Sequence, residues 1–173
     1  MEYVICFVLI VVLFSMMISF VKAGMKGILA VTGIVIMALI SSAGAVLALS
    51  GQEMRVILPG SMVTGEIPLV IDPLSAWFIL VINFTFITSA IYGCRYLIPY
   101  HQRTSQLSLH WISYLLTHAG ILSVCVIQNS IAFLIAWEIM ALGTFILVIF
   151  EGNKASTIKA GINYLIQSHV AVL

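Results

Sequence analysis

The chain has 173 residues, of which 62% are hydrophobic and 8% are charged, and its formal net charge at pH 7 is +1. Soluble domains contain roughly 25% charged residues, so this composition excludes a soluble globular protein. With a mean hydropathy of +1.21, it predicts an all-α integral membrane protein. The seven Lys and Arg residues are scattered, so they form no basic patch for binding nucleic acid.

Gaps between charged residues mark six predicted transmembrane helices, because a crossing helix needs about 20 mostly apolar residues. The first follows Glu2 without a basic segment, which favours a retained span over a signal peptide. A stretch of 34 residues without Asp, Glu, Lys or Arg is divided by the polar triplet 128–130 into the fourth and fifth spans. The predicted spans are about 3–21, 27–49, 73–92, 109–127, 130–150 and 156–173.

Residues 50–71 form the longest predicted connection, and they hold two prolines and three glycines. Short alternating segments flank Pro59-Gly60, which predicts an external loop with a small hairpin. Asp72-Pro73 is typical of a helix start, because a carboxylate is favourable at the positive end of the helix dipole. We therefore divide the chain into residues 1–107, with three helices and this loop, and residues 108–173, with helices four to six.

The basic residues predict how the helices are oriented. Six lie in or beside the connections on one side of the predicted membrane, and Arg55 alone lies on the other side. Under the positive-inside rule, the N-terminus of this multi-pass protein is expected outside the cytoplasm, in the cell inner (plasma) membrane. The six are Lys22, Lys26, Arg95, Arg103, Lys154 and Lys159.

Glu138 is the candidate functional residue, because it lies deep within the fifth predicted span, in the run Ile131–Phe150. A charged carboxylate at the centre of a bilayer costs roughly 2.5–3.5 kcal/mol on insertion scales, so such residues usually face a wet cavity or a polar partner. The alternative is a protonated Glu138 that is satisfied by a neighbouring backbone group or hydroxyl and has only a packing role.

Two histidines are predicted to lie at the depth of Glu138, roughly 12 Å below the outer surface. His118 is in the fourth span and His169 in the sixth. One Glu and two His at one level have the composition of a proton relay. Lys159, near the inner end of the sixth span, is expected to snorkel to the interface or to influence the charge of a nearby Glu. Either histidine is also consistent with an ordinary buried imidazole.

No catalytic, metal or cofactor site is predicted from the spacing of the residues. Cys6, Cys94 and Cys125 lie far apart and are interpreted as small apolar residues. Two further functions remain open. His118 and His169 would be the axial ligands if the chain were a haem-binding electron-transfer subunit. In a structural scaffold subunit, Glu138 would only pack.

The stretch Asn129–Phe150 resembles the antiporter-like membrane subunits of respiratory complex I, Mrp-type antiporters and membrane-bound hydrogenases. The Trp137-Glu138 pair, followed by Met140 and Leu142, carries the resemblance. The segment 72–78 resembles the start of the family's third span. The segment 159–170, with its Gln-Ser-His sequence, is most similar to hydrogenase-4 component B and formate hydrogenlyase subunit 3.

The resemblance implies that Glu138 is a key proton-pathway residue that works with a lysine on a later helix, which Lys159 does not match. It also implies a fold of about fourteen helices with two inverted repeats, of which this chain corresponds to the N-terminal part. The chain would then be a non-catalytic transport subunit of an oxidoreductase complex, without its own cofactor. Its partners would be other membrane subunits of a hydrogenase or complex I-like assembly, with redox subunits coupled indirectly.

Overall fold

The computed structural model describes residues 2–52, 54–62, 64–152 and 154–171. Short 3₁₀ turns follow the third and fifth helices, at Ile98–Tyr100 and Ile149–Glu151. The described elements are α1 (Glu2–Phe20), α2 (Ala23–Leu49), β1 (Met54–Leu58), β2 (Ile67–Ile71), α3 (Pro73–Tyr96), α4 (Thr104–Val126), α5 (Ser130–Val148) and α6 (Ala155–Val170).

Four of these helices are long and apolar enough to cross a membrane: α2, α3, α4 and the segment Ser130–Glu151 that contains α5. The apolar part of α1, Val4–Phe20, is shorter, and α6 has only 16 residues. The chain is therefore a mainly helical membrane protein, as its composition predicts. Six crossings remain a prediction, although a helix lies at each of the six predicted places.

The packing core lies between α2 and its neighbours. Helix α2 contacts α1, α3 and α4, while α4 also packs closely against α5, and α6 packs mainly on α5. The side chains of Ile18, Ile34 and Leu115 are completely buried at the centre of this core. Helices α5 and α6 thus form the outer edge of the described bundle, next to the more completely packed group of α1 to α4.

The predicted hairpin is confirmed in the connection between α2 and α3. Strand β1 pairs antiparallel with β2, with Met54 opposite Ile71 and Leu58 opposite Ile67. The amide of Asn129 donates hydrogen bonds to the backbone carbonyls of Thr64 and Glu66. Because Asn129 also caps α5, this amide joins the hairpin to the turn between α4 and α5.

The predicted helix start at Asp72 is also confirmed. The backbone N–H of Ser75 donates to Asp72 Oδ1 at 2.7 Å, and Pro73 occupies the first turn of α3. Proline fits there because the first N–H groups of a helix have no partner within it. The Ser75 hydrogen bond stabilises the carboxylate and lowers the pKa of Asp72 below its usual value.

A polar contact at the opposite end of the bundle joins the connections after α3 and α5. The hydroxyl of Tyr100 donates to Oε1 of Glu151, and Nζ of Lys154 donates to Oε2. These bonds raise the pKa values of both Tyr100 and Lys154 above their usual values. Exposed pairs of this kind contribute little to stability, so the contact orders the turns rather than supporting the bundle.

One expectation about side-chain surroundings is wrong. Lys26 was expected in the connection before the second span, but it lies within α2 and is 3% exposed. Its Nζ donates to the Ile18 carbonyl at 3.1 Å and to the Ser108 hydroxyl, and these bonds offset part of the cost of burying the ammonium. Trp111 lies near the start of α4 but is buried against α2 and α3, where Gly27 and Gly93 leave room for its ring.

Close packing of α4 on α5 predicts that Gly120→Ala destabilises the protein. A Cβ on Gly120 would lie 3.0 Å from the backbone N and 3.1 Å from the Cα of Met140, so the backbones would have to separate. Overpacking of this kind typically costs about 1–3 kcal/mol. We expect a lower thermal unfolding midpoint in detergent for Gly120→Ala than for the native chain.

Gly24→Ala is the matched control, because a Cβ on Gly24 meets no atom within 4 Å. Its midpoint should stay the same or rise slightly, since alanine favours helix over glycine by about 1 kcal/mol. A Gly120→Ala protein that unfolds at or above the native midpoint would show that α4 and α5 do not pack in this register.

Candidate functional site

Helices α4, α5 and α6 carry the predicted site residues, and glycine contacts define how these helices align. Gly120 lies against the backbone of Met140, and Gly143 lies against Thr117, so α4 and α5 run antiparallel. Gly161 packs on Phe145 and Ile149, and His169 lies against Glu138, so α6 runs antiparallel to α5. Small residues let helix backbones approach closely, as is common in membrane proteins. This alignment determines which polar side chains meet.

The Glu138 carboxylate meets the His169 imidazole across the α5–α6 contact. His169 Nε2 lies 3.0 Å from Glu138 Oε1. The other ring nitrogen, Nδ1, lies 2.8 Å from the backbone carbonyl of Leu165. The sequence analysis predicted that these two side chains lie at one depth, and the structure places them in direct contact.

The hydrogen bond to Leu165 determines what can occur between Glu138 and His169. A carbonyl oxygen only accepts, so His169 Nδ1 must carry a hydrogen in this geometry. One further proton is then needed between Nε2 and the carboxylate oxygen. It is held either by a protonated Glu138 that donates to Nε2, or by a charged His169 that donates to the carboxylate. In this geometry the proton is bonded either to His169 Nε2 or to Glu138 Oε1.

The Glu138–His169 pair is not enclosed by the described chain. The exposed fraction of the side chain is 44% for Glu138 and 46% for His169. Hydrocarbon offers no hydrogen bonds, and polar side chains at membrane depth therefore face a wet cavity or other protein. The exposed side of the pair is thus where water, or a further polar partner, would meet it in the membrane.

His118 joins a different polar group. It is completely buried, its ring stacks on Phe86 with centroids 4.7 Å apart, and its Nε2 lies 2.9 Å from Asn83 Oδ1. Its neighbours therefore belong to α3. The α4–α5 alignment sets Glu138 level with Leu122, four residues or about 6 Å along α4 from His118. The expected layer of one Glu and two His thus contains Glu138 and His169, without a direct bond to His118.

Asn83 links His118 to α2 and determines which nitrogen of the ring carries hydrogen. Its Nδ2 lies 2.9 Å from the hydroxyls of Ser41 and Ser42 and 3.3 Å from the Ala38 carbonyl. Because that carbonyl only accepts, Nδ2 must point to it and Oδ1 must accept from His118 Nε2. His118 Nδ1 is buried and makes no hydrogen bond within the described residues. His118 is thus a histidine held by a polar network between helices.

Lys159 lies on an exposed part of α6, ten residues before His169, which is about 15 Å along a helix. It makes no ion pair with any residue that the structure describes. Its position suits the expected snorkelling of the ammonium to the interface. Of the three residues predicted to act with Glu138, His169 is the one that bonds to it in the described part of the chain, and the roles of all three in a proton pathway remain predictions.

Sequence reasoning missed the network of Asn83, Ser41 and Ser42. The signal was the presence of one amide in the otherwise apolar third span, since a polar side chain there needs a partner. The two serines were a weaker signal, because hydroxyls in helices commonly donate to a backbone carbonyl of the same helix, as Ser41 does to Met37. Within the described residues, no three His, Cys, Asp or Glu side chains are grouped to hold a metal ion.

No model of a known protein family matches this sequence, and no curated protein is significantly similar to it. The resemblance to the antiporter-like subunits therefore stays a prediction from the sequence.

The Asn83 network predicts that Asn83→Leu destabilises the fold. Leucine has a similar volume, but it leaves the buried Nε2 of His118 without a partner. An unsatisfied buried polar group costs about 1–3 kcal/mol. We expect a lower thermal unfolding midpoint in detergent, and partial recovery in the double variant Asn83→Leu/His118→Leu, which removes both polar groups.

Thr32→Val is the matched control, because Thr32 is exposed and its hydroxyl bonds only to the Ile28 carbonyl of its own helix. This change should leave the midpoint nearly unaltered. If Asn83→Leu unfolds no earlier than Thr32→Val, the bond between Asn83 and His118 does not support the fold.

Proposed function

We propose that this chain is a proton-translocating part of a membrane complex and that Glu138 and His169 exchange a proton during transport. The observation that carries the proposal is the 3.0 Å contact between Glu138 Oε1 and His169 Nε2, with His169 Nδ1 bonded to a carbonyl. That geometry needs one proton between two groups on different helices.

The partial exposure of the pair favours transport over a packing role. A glutamate whose only role was to pack would be expected to find all its hydrogen-bond partners within the protein, as the Asn83 amide does. Glu138 Oε1 contacts His169, while the pair as a whole remains open on the outer side of α5 and α6. A proton delivered by water can reach such a pair, and a proton can leave it by the same side.

The resemblance to antiporter-like subunits extends the proposal to the whole chain. In this proposal the six helices span the inner (plasma) membrane six times, with the N-terminus outside the cytoplasm. They correspond to the N-terminal part of a fourteen-helix subunit, closest to hydrogenase-4 component B. Redox chemistry occurs in partner subunits of a hydrogenase or NADH:quinone oxidoreductase, and this chain moves protons, or exchanges cations for them, without its own cofactor.

The two alternatives have less support. In a haem-binding subunit, His118 and His169 would present free nitrogens to one gap. Instead, both nitrogens of His169 have partners, and His118 is completely buried, with Nε2 bonded to Asn83 and its ring stacked on Phe86. In a purely structural subunit, the Glu138–His169 bond would only fasten α6 to α5.

The substitution Glu138→Gln tests the proposal. Glutamine keeps the size and hydrogen-bonding capacity of the side chain but cannot release a proton. Inside-out membrane vesicles that contain the assembled complex should lose redox-driven acidification, measured with a pH-sensitive dye, down to the level of vesicles without the chain. His169→Gln should slow acidification strongly as well, because it removes the second proton-binding atom.

Glu66→Gln is the matched control, because Glu66 lies in the loop of the hairpin and outside the helices. It should acidify the vesicles at the native rate. Native amounts of complex in the membrane, measured by immunoblot, distinguish transport from assembly. Acidification that persists in Glu138→Gln would rule out the proton pair, and loss of the complex itself would favour the scaffold.

A further inference from the structure

A cavity of about 350 Å³ lies at the end of the bundle where α2 begins, α3 ends and α4 begins. Gly24 and Gly27 form its wall on α2, and Trp111 forms its wall on α4. The basic side chains that line it are Arg95 and His101. It lies apart from the Glu138–His169 pair, which is carried by α5 and α6.

Two glycines on α2 show where the helices diverge to form the cavity. A Cβ on Gly27 would lie 2.9 Å from Cys94 Sγ and 3.3 Å from the Trp111 ring, so the three helices close together at that level. One turn earlier, a Cβ on Gly24 would meet nothing within 4 Å. The helices therefore diverge from Gly27 towards the end of the bundle, and the space between them opens at Gly24.

Arg95 gives the rim of the cavity a positive charge that no described acidic side chain pairs with. Arg95 is exposed and makes no ion pair with any residue in the described parts of the chain, and neither does His101. Helix α2 begins beside the cavity at Ala23 and has no side-chain cap, so its positive dipole end adds to the attraction for an anion. Other basic residues lie at this end of the bundle, and the acidic side chain that the structure describes there, Glu151, is already bonded to Tyr100 and Lys154.

The other side of the cavity is apolar. Ile28 and Ile98 both line it, and both are also exposed on the outer surface of the bundle, at 64% and 47%. An occupant of this cavity would thus have an anionic end at Arg95 and His101, and it would continue as an apolar chain past the two isoleucines. Basic pockets between helices near the membrane surface bind anionic lipid headgroups.

We infer that this cavity binds one anionic phospholipid. The phosphate would accept hydrogen bonds from the Arg95 guanidinium and the His101 imidazole, since guanidinium groups pair well with phosphate oxygens. The acyl chains would lie along Ile28 and Ile98 in the hydrocarbon. This site depends on neither Glu138 nor His169, and its test is independent of proton transport.

Native mass spectrometry of the full chain in detergent tests the site. The delipidated chain is mixed separately with phosphatidylglycerol, with phosphatidylethanolamine and with inorganic phosphate. We expect one phosphatidylglycerol molecule to bind saturably and more tightly than phosphatidylethanolamine, with no adduct of inorganic phosphate. Arg95→Gln should weaken the binding of phosphatidylglycerol about fivefold, which is the contribution of one basic side chain near a membrane surface.

A second variant tests the volume rather than the charge. Gly24→Leu places a side chain in the open part of the cavity and should abolish saturable binding, while the smaller Gly24→Ala should retain it. Arg55→Gln, on the hairpin at the opposite end of the bundle, controls for a general loss of positive charge. It should bind phosphatidylglycerol as the native chain does.

Three results would overturn the inference. Equal binding of phosphatidylglycerol and phosphatidylethanolamine would show that the cavity does not recognise the lipid headgroup. Native affinity in both Arg95→Gln and Gly24→Leu would show that the lipid binds elsewhere. An adduct of inorganic phosphate that competes with phosphatidylglycerol would indicate a site for a free anion instead of a lipid.

Discussion

The absence of water from the hydrocarbon core is the constraint on which the structure depends. A backbone or side-chain polar group there must find its hydrogen bonds within the protein. The helical backbone meets this demand by itself, and small residues such as Gly120 let the helices pack closely. Side chains meet it in pairs and networks: Lys26 bonds to α1 and α4, and Asn83 joins α2 to His118. Four helices are thereby fastened at two levels by polar contacts.

Because hydrocarbon supplies no hydrogen bonds, the different surroundings of His118 and His169 favour different roles. His118 is completely buried, and its partner Asn83 is in turn satisfied by three groups on α2. His169 and Glu138 satisfy each other but remain open on the outer side of the bundle. A closed network stabilises a fold, whereas a pair that is open to water or to another polar group can change its protonation. This contrast is why the proposal for proton exchange rests on Glu138 and His169.

Sequence reasoning predicted the elements well because they depend on local chemistry. Charged residues marked the approximate helix boundaries, although Lys26 and Arg95 lie within α2 and α3. Asp72-Pro73 indicated the start of α3, and proline and glycine indicated the hairpin. Depth along a helix could also be counted, which brought His169 to the level of Glu138. The direction in which each side chain points could not be predicted from residue spacing. Lys26 and Trp111 are buried because of contacts with helices distant in sequence. His118 faces α3 because of the way α4 packs against that helix.

Infrared difference spectroscopy between two pH values can detect whether Glu138 and His169 share one proton. The carboxyl band of Glu138 is the signal that disappears in Glu138→Gln. We expect this signal to change with pH, and we expect His169→Gln to shift the pH at which it changes. A Glu138 signal that does not respond to pH, or that responds identically with and without His169, would show that the two side chains do not share a proton.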